Sequence, residues 1–469
     1  MKINFTEILT GYPVLSDVKM VAADRNEKVF IVGGFVRDKL LNRESKEIDF
    51  LVVGDGVKFA TELSKRLELK NVITYKNYGT AQLKYNDLQL EFVGARKESY
   101  EEKSRNPKIV SATFEEDIAR RDFTINSLAV SLNDENYAEL IDLFNGYNDI
   151  KNKIIRTPID SMITFNDDPL RILRAFRFAS QLEFDVDDTL INSARALRER
   201  LNIIAKERIA AELFKILGSN KPSLGLNLLF NSGVLEIIFP EIAALEGVEQ
   251  RKDYHHKDVF YHTCQVVDNI SAVTENVWLR FAALVHDIAK PPTKRFVEGT
   301  GWTFHGHEEL GARMMKSIFK RMKLPLNKLE YIEKLIRLHL RPIALAKEEV
   351  TDSAIRRLIV SAGPDLNDLI TLCRADITSK NPGKVSRYLE NYNIVMNRVL
   401  EVEEKDRLKA FQSPVHGDVI MQVCGLKPCK KVGEIKTAIE DAILDGEIQN
   451  NYEEAYQYLL RIKDRFLDS

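Results

Sequence analysis

The sequence predicts an α+β protein, with a mixed-sheet head at its N-terminal end and all-helical domains after it. Three observations carry that expectation. A chain of 469 residues exceeds what one hydrophobic core supports, so roughly two to four domains are expected. Between residues 28 and 93, apolar runs of strand length alternate with turns and one amphipathic helix. From Pro158 onward the apolar residues recur at helical spacing. The expected segments are a leader at 1–25, the head at 26–157, and helical regions at 158–245, 246–380 and 381–469.

Composition excludes some classes. Lys plus Arg is 68 against 70 for Asp plus Glu, a net charge of −2, so any nucleic-acid surface must be a local basic patch. The four cysteines, Cys264, Cys373, Cys424 and Cys429, form no CxxC pair, as expected of buried thiols in a reducing compartment. No apolar run has the length of a membrane span, and residues 1–20 lack the pattern of a signal peptide, so a cytoplasmic protein is expected.

The first element is a buried strand at 29–32, which passes through Gly33 and Gly34 into a short helix at 36–41. Paired glycines at a strand-to-helix turn let backbone N–H groups approach a phosphate, and Arg37 adds a charged donor. In the next strand Glu47 and Asp49 are two residues apart, so alternation points both carboxylates to one face. Two hard oxygen ligands beside a phosphate cradle suit Mg²⁺. Either feature alone is ordinary; the two joined by a short helix have the layout of metal-dependent nucleotidyl transfer. A helix at 56–67 and strands at 71–75, 80–85 and 88–93 follow, and Glu91 on the last is a candidate third carboxylate or a solvated acid of an edge strand. Residues 94–116 are polar and aperiodic and read as a mobile loop. Beyond it Arg120 and Arg121 offer forked donors for phosphate or ribose, and Asp122 can accept from a sugar hydroxyl; a solvated ion pair is the plainer reading.

In the helical part, Asp168 near the start of an amphipathic helix and Arg171 one turn on are expected on one face. A carboxylate accepting from an exocyclic amine, beside an Arg donating to the ring nitrogen, can read cytosine or adenine. Arg174 joins these nucleotide-binding candidates, and with Arg177, Arg195, Arg198, Arg200, Lys206, Arg208 and Lys215 it forms a candidate basic surface. All eight histidines follow residue 250. The ordered series His262, His286–Asp287, His307, His339 and Asp376 suits a divalent transition metal, or a structural ion.

Several of these stretches resemble one family. GGFVRD followed by the Glu47–Asp49 pair resembles the GGxVRD and DxD signature of class II tRNA nucleotidyltransferases and bacterial poly(A) polymerases, with Glu47 where that family usually has Asp. RRDFTINS matches its RRDFTINA motif, Leu140 to Ile150 its next motif through Asp142 and Gly146, and Asp167, Asp168 and Arg171 its EDxxR. The His/Asp series resembles the HD phosphohydrolase superfamily, which implies a metal set of His262, His286, Asp287 and Asp376, with His307 and His339 able to hold a second ion. The resemblance implies a polymerase-beta-like nucleotidyltransferase palm followed by neck, HD and tail domains. It also implies Mg²⁺ at Glu47, Asp49 and Glu91, and triphosphate contacts from Gly33, Gly34 and Arg37. Arg120, Arg121 and Asp122 would select ribose, and Asp168 and Arg171 would choose between CTP and ATP. Lys290 would touch a phosphate, the segment at 94–116 would be the flexible loop that CCA-adding members carry, and tRNA would be the partner. Two rivals stand beside full CCA addition: poly(A), A-only or CC-only addition by the same motifs, and an HD phosphohydrolase whose head only docks RNA. A protein that binds without chemistry is a third.

Overall fold

The computed structural model describes residues 3–75, 79–99, 108–248, 258–299, 301–345, 351–379, 381–410, 413–444 and 447–467. The head is built on a seven-stranded mixed sheet in the order β3-β4-β5-β2-β1-β8-β9. Its strands are β1 (Lys28–Val32), β2 (Glu47–Val53), β3 (Val72–Tyr75), β4 (Thr80–Tyr85), β5 (Leu88–Gly94), β8 (Leu128–Ser131) and β9 (Leu140–Asp142). Strands β2 and β5 run parallel at its centre, and the other neighbours are antiparallel. Glu91 therefore stands on an interior strand rather than an edge.

Alternation divides the central strands cleanly. Ile48, Phe50, Leu90 and Phe92 are fully buried on one face. There Phe50 and Phe92 stack at 4.6 Å, and Phe59 from the helix Gly56–Arg66 stacks on Phe92 at 5.3 Å. Glu47, Asp49 and Glu91 take the opposite face by the same period of two. Farther along that face a cluster of Phe30, Val32, Leu51, Ala129, Phe114 and Ile118 docks the helix Phe114–Ala119 over the sheet.

The segment expected to be a loop is largely regular. Strands β6 (Arg96–Ser99) and β7 (Lys108–Ser111) pair as a hairpin, and Thr113 with Glu116 forms a reciprocal cap on the helix that follows. Two mutually paired edge strands need no apolar period, which is why the sequence read as aperiodic; residues 100–107 of the expected loop lie outside the described residues. The segment ahead of β1 also folds onto the head: Phe5, Leu9, Val14, Leu15 and Val18 are buried, and Asn4 bridges Glu139.

The chain divides into two compact units, Met1–Leu340 with Pro364–Val385, and Arg341–Gly363 with Ser386–Ser469. The second has its own core of Ile420, Ile435, Ile439, Ala455, Leu459 and Ile462. Within it Asp352 holds Arg398 at 2.7 Å and Lys405 at 3.0 Å. Among the described residues no helix is long and apolar enough to cross a membrane.

Candidate active site and metal centre

At the turn after β1, Gly33 adopts φ 73° and ψ −133°, a conformation that disfavours any side chain. Space enforces the choice as well, because a Cβ there would come within 3.3 Å of Arg121 Nη1 and 3.4 Å of Asp49 Oδ2. The helix Gly34–Leu40 thus begins directly beside the acidic face, with its first N–H groups available to an anion. Gly33→Ala is expected to cost about 1–2 kcal/mol in stability and to raise KM for the nucleotide, read by thermal melting and initial rates.

Asp49 lies directly opposite Glu91 in the parallel register, and Glu47 opposite Gln89. Burial pushes the Asp49 carboxyl above its ordinary range, Arg121 and Arg37 pull it down, and the Glu47 charge adds to the rise. Burial likewise raises Glu91, reinforced by Asp49 and Glu47 and eased by Arg96. Carboxylates whose charges are mutually disfavoured in this way are a candidate face for a cation. Glu47 is exposed at its rim, so the extra methylene relative to Asp has room to adjust.

Two residues that sequence reasoning passed over organise the arginines. Asp117, fully buried, accepts from Arg120 Nε at 3.0 Å and Nη2 at 2.8 Å, and from Arg121 Nη2 at 3.3 Å. Asn126 accepts from Arg37 Nη1 at 2.7 Å and donates to Asp122 Oδ1 at 3.0 Å. The sequence signal for Asp117 is its place three and four residues ahead of the Arg pair, a helical ion-pair spacing; Asn126 carries no comparable signal. Asp142 and Gly146 have a structural use, since the Asp142 carboxylate accepts from the backbone N–H groups of Gly146 and Tyr147.

Asp122 has both oxygens engaged: Oδ1 with its neighbour Phe123 N–H and Asn126, Oδ2 with Arg174 Nε at 2.8 Å and Nη2. Its geometry makes it the fixed point for Arg174. Burial alone would raise this carboxyl, but the Arg174 guanidinium and the Asn126 amide outweigh burial and hold it at about 2. In the unfolded chain it titrates near 3.8, so the pair stabilises the fold above that pH and its contribution is lost as pH falls through 2. About 2 kcal/mol of acid-sensitive stability is expected, checked by urea titrations of wild type and Asp122→Asn between pH 2.5 and 6, with convergence at the acid end.

Asp168 stands at a helix break rather than inside a continuous helix, and its carbonyl accepts from the Arg171 N–H at 3.0 Å. Pro169 disfavours helical backbone at the residue before it, and Asp168 is accordingly extended at φ −135° and ψ 99°, a break between the helices Ser161–Asp167 and Leu170–Leu182. Its Oδ1 accepts from Leu170 N–H at 3.1 Å, and its Oδ2 lies 3.7 Å from Arg208 Nη2. The basic stripe also needs correction. Arg177 is buried against Glu212 at 3.1 Å, whereas Arg195, Arg208 and Lys215 are exposed.

The histidine–aspartate residues converge from the ends of five helices. The pair His286–Asp287 sits just past the helix Val277–Val285 rather than inside a helix. His339 and Asp376 cap Leu329–Leu338 and Leu366–Ala375; His307 begins His307–Met322, and His262 lies one turn into Val259–Ser271. They fall into two sets, His262, His286 and Asp376, and Asp287, His307 and His339. Asp287 joins them. Its Oδ2 is 3.2 Å from His286 Nε2 and 3.7 Å from His262 Nε2, while its Oδ1 is 3.3 Å from His307 Nε2 and 3.9 Å from His339 Nε2.

Each imidazole is oriented by its other nitrogen. Nδ1 of His286, His307 and His339 donates to the carbonyl three residues earlier, of Ala283, Phe304 and Ile336. Carbonyls only accept, so Nε2 is left as a lone pair wherever the ring is neutral. His262 Nδ1 meets Thr378 Oγ1 at 2.8 Å. The buried Nε2 of His286 has no hydrogen-bond partner in suitable geometry, although two carboxylates are near. Burial would lower the His286 pKa, but Asp287 and Asp376 raise it to about 10; His339 is held at about 4 by burial and its neighbouring imidazoles. Two carboxylates gathered around an ill-partnered nitrogen fit a divalent cation, whose entry would displace the His286 proton. Lys290 Nζ lies 2.6 Å from Asp287 Oδ2.

Three family models match the chain: the poly A polymerase head domain over residues 29–156, the probable RNA and SrmB-binding site of polymerase A over 183–245, and the HD domain over 259–380. An A-adding tRNA nucleotidyltransferase of Aquifex aeolicus is 31% identical over 75% of this chain and 45% of that protein, so the chain spans under half of its length. The multifunctional CCA protein of Psychromonas ingrahamii is 32% identical over 64% of this chain and 71% of its own. A crystal structure of a tRNA nucleotidyltransferase complexed with a primer tRNA and an incoming ATP analogue is 26% identical, with a TM-score of 0.58 over 81% of this chain and 99% of that one. With the acidic sheet face, the head motifs and the helical HD domain in hand, these likenesses show that the chain belongs to the tRNA nucleotidyltransferase and poly(A) polymerase family.

Proposed function

We propose that this nucleotidyltransferase adds CCA to the 3′ end of tRNA without a template, using CTP and ATP, and that its HD centre is a second, phosphohydrolase site. The observation that carries the first part is Asp49 set opposite Glu91 on the face that Gly33 and Arg121 border. The close turn at Gly33, the Gly34 N–H and Arg37 would take the triphosphate, while the Gly33 N–H donates to the Leu128 carbonyl and Arg120 and Arg121 are held ready by Asp117. Glu47, Asp49 and Glu91 would hold divalent cations, which activate the 3′ hydroxyl and stabilise the leaving pyrophosphate when bound. Asp168 and Arg171 at the helix break would read the base, Asp168 turning from its cap toward an exocyclic amine. The primer-tRNA complex of the relative supports tRNA as the acceptor here too. The four cysteines, all free, suit a cytoplasmic setting.

A-only addition is the second reading, supported by the name of the Aquifex relative. One experiment separates the two. Purified protein with Mg²⁺ is given tRNA lacking its last three nucleotides, or lacking only the terminal A, with each NTP alone and with CTP plus ATP. Three additions that require both nucleotides support full CCA addition. Extension only of the tRNA lacking A, by one nucleotide from ATP, moves the assignment to A addition, and a long ATP ladder moves it to poly(A) synthesis.

A further inference from the structure

A short hairpin of Arg295–Val297 and Gly301–Thr303 stands beside the histidine–aspartate centre and carries two large rings into solvent. Phe296 is 56% exposed and Trp302 38%. The two are a directly opposed cross-strand pair, edge to face with centroids 5.3 Å apart. Lys294 Nζ lies 4.6 Å over the Trp302 ring, and alternation puts Lys294, Phe296 and Trp302 on one face.

Both stems of the hairpin are fixed at the centre itself. Upstream, Lys290 reaches Asp287 Oδ2 at 2.6 Å and lies 5.7 Å from the Phe304 ring centroid. Downstream, the Phe304 carbonyl accepts from His307 Nδ1 at 2.7 Å. Trp302 precedes Phe304 by two residues, about 7 Å along an extended chain. Rings exposed on so small an element do nothing for the core, whereas aromatic faces flanked by cations suit a flat base joined to a phosphate. Lys290, Lys294 and Arg295 around the stems select an anionic ligand over an apolar peptide or the interior of a bilayer.

We propose that the Phe296–Trp302 face is a stacking platform for the terminal base of a single-stranded RNA or nucleotide whose phosphate lies at the histidine–aspartate centre. This rests on the phosphohydrolase reading of that centre, and the test keeps the two apart. The chain has two tryptophans, so Trp278→Phe leaves Trp302 as the sole tryptophan, read under tryptophan-selective excitation. That full-length variant is titrated with 3′-CMP and 3′-AMP, and with ribose 5-phosphate and inorganic phosphate as base-free probes. Saturable quenching by the nucleotides but not by the base-free probes is expected. If Trp278→Phe disturbs the packing, the quenching difference between wild type and Trp302→Phe supplies the same readout. Trp302→Ala should raise KM for release of phosphate from 3′-CMP about tenfold with kcat within about threefold, and Trp302→Phe should recover most of it. Equal quenching by ribose 5-phosphate, no quenching, or an unchanged KM in Trp302→Ala overturns the platform. Nucleotide-specific quenching without phosphate release keeps the platform and removes the phosphohydrolase reading instead.

Discussion

Asp49→Ala is expected to reduce nucleotide addition by about a thousandfold while the fold and the HD chemistry persist. Asp49 faces Glu91 across the parallel register and borders Gly33, so it belongs to both the acidic sheet face and the glycine turn after β1. No neighbour can replace it: Glu47 is at the exposed rim and Glu91 on the next strand. Stability should change little or rise, because burial already disfavours this carboxylate's charge. Addition rates and melting curves measured together check this. Full addition by the variant would remove Asp49 from the site, and loss of both activity and fold would make it a structural residue. Glu91→Ala should follow in the same direction with a smaller loss.

The second large effect is expected from Asp287→Ala. Its oxygens face different histidine sets, so this one change should lower bound divalent metal at both positions, read by elemental analysis of the purified protein. Phosphate release should fall about a thousandfold, with nucleotide addition kept. His339→Ala, which removes a ligand candidate of the second set alone, should leave the first ion in place. A destabilisation of about 3–5 kcal/mol is also expected, since Lys290 and His286 lose their buried counter-charge, and Asp287→Asn separates that effect from metal loss. Undiminished metal content in Asp287→Ala would mean that the aspartate does not bridge.

What could be read from the sequence followed from local periodicity. The shared face of Glu47 and Asp49 needed only alternation, and Glu91 followed from the apolar parity of Leu88, Leu90 and Phe92. That Asp49 and Glu91 stand opposite one another did not, because register between strands so far apart in the chain is set by packing of the whole sheet. Asp117 and Asn126 were missed for a similar reason: each acquires its role only when the helix Phe114–Ala119 and the turn after it close over β1 and β2. The break at Asp168 was legible in the Asp-Pro dipeptide and was overridden by the strong helical period around it. In the HD region the ligand series could be read directly, and its likeness to HD phosphohydrolases set His307 and His339 apart from His262, His286 and Asp376; the place of Asp287 between the sets and the carbonyls that fix each ring could not be read, because they depend on where the helices end.

The second compact unit is discontinuous along the chain, and that bears on how such a protein can be cut or recombined. Arg341–Gly363 shares its unit with Ser386–Ser469, although Pro364–Val385, which carries Asp376, belongs with the catalytic body. A deletion at residue 385 would therefore leave behind a stranded insert whose Asp352 had lost both of its cationic partners. A gene fusion that exchanged the tail at one junction would carry the core from Ile420 to Ile462 whole, but would part Arg398 and Lys405 from Asp352. Modular exchange in this chain needs two crossovers, at the borders of Arg341–Gly363 as well as after Val385, and a tail inherited by a single crossover would arrive without its first helices.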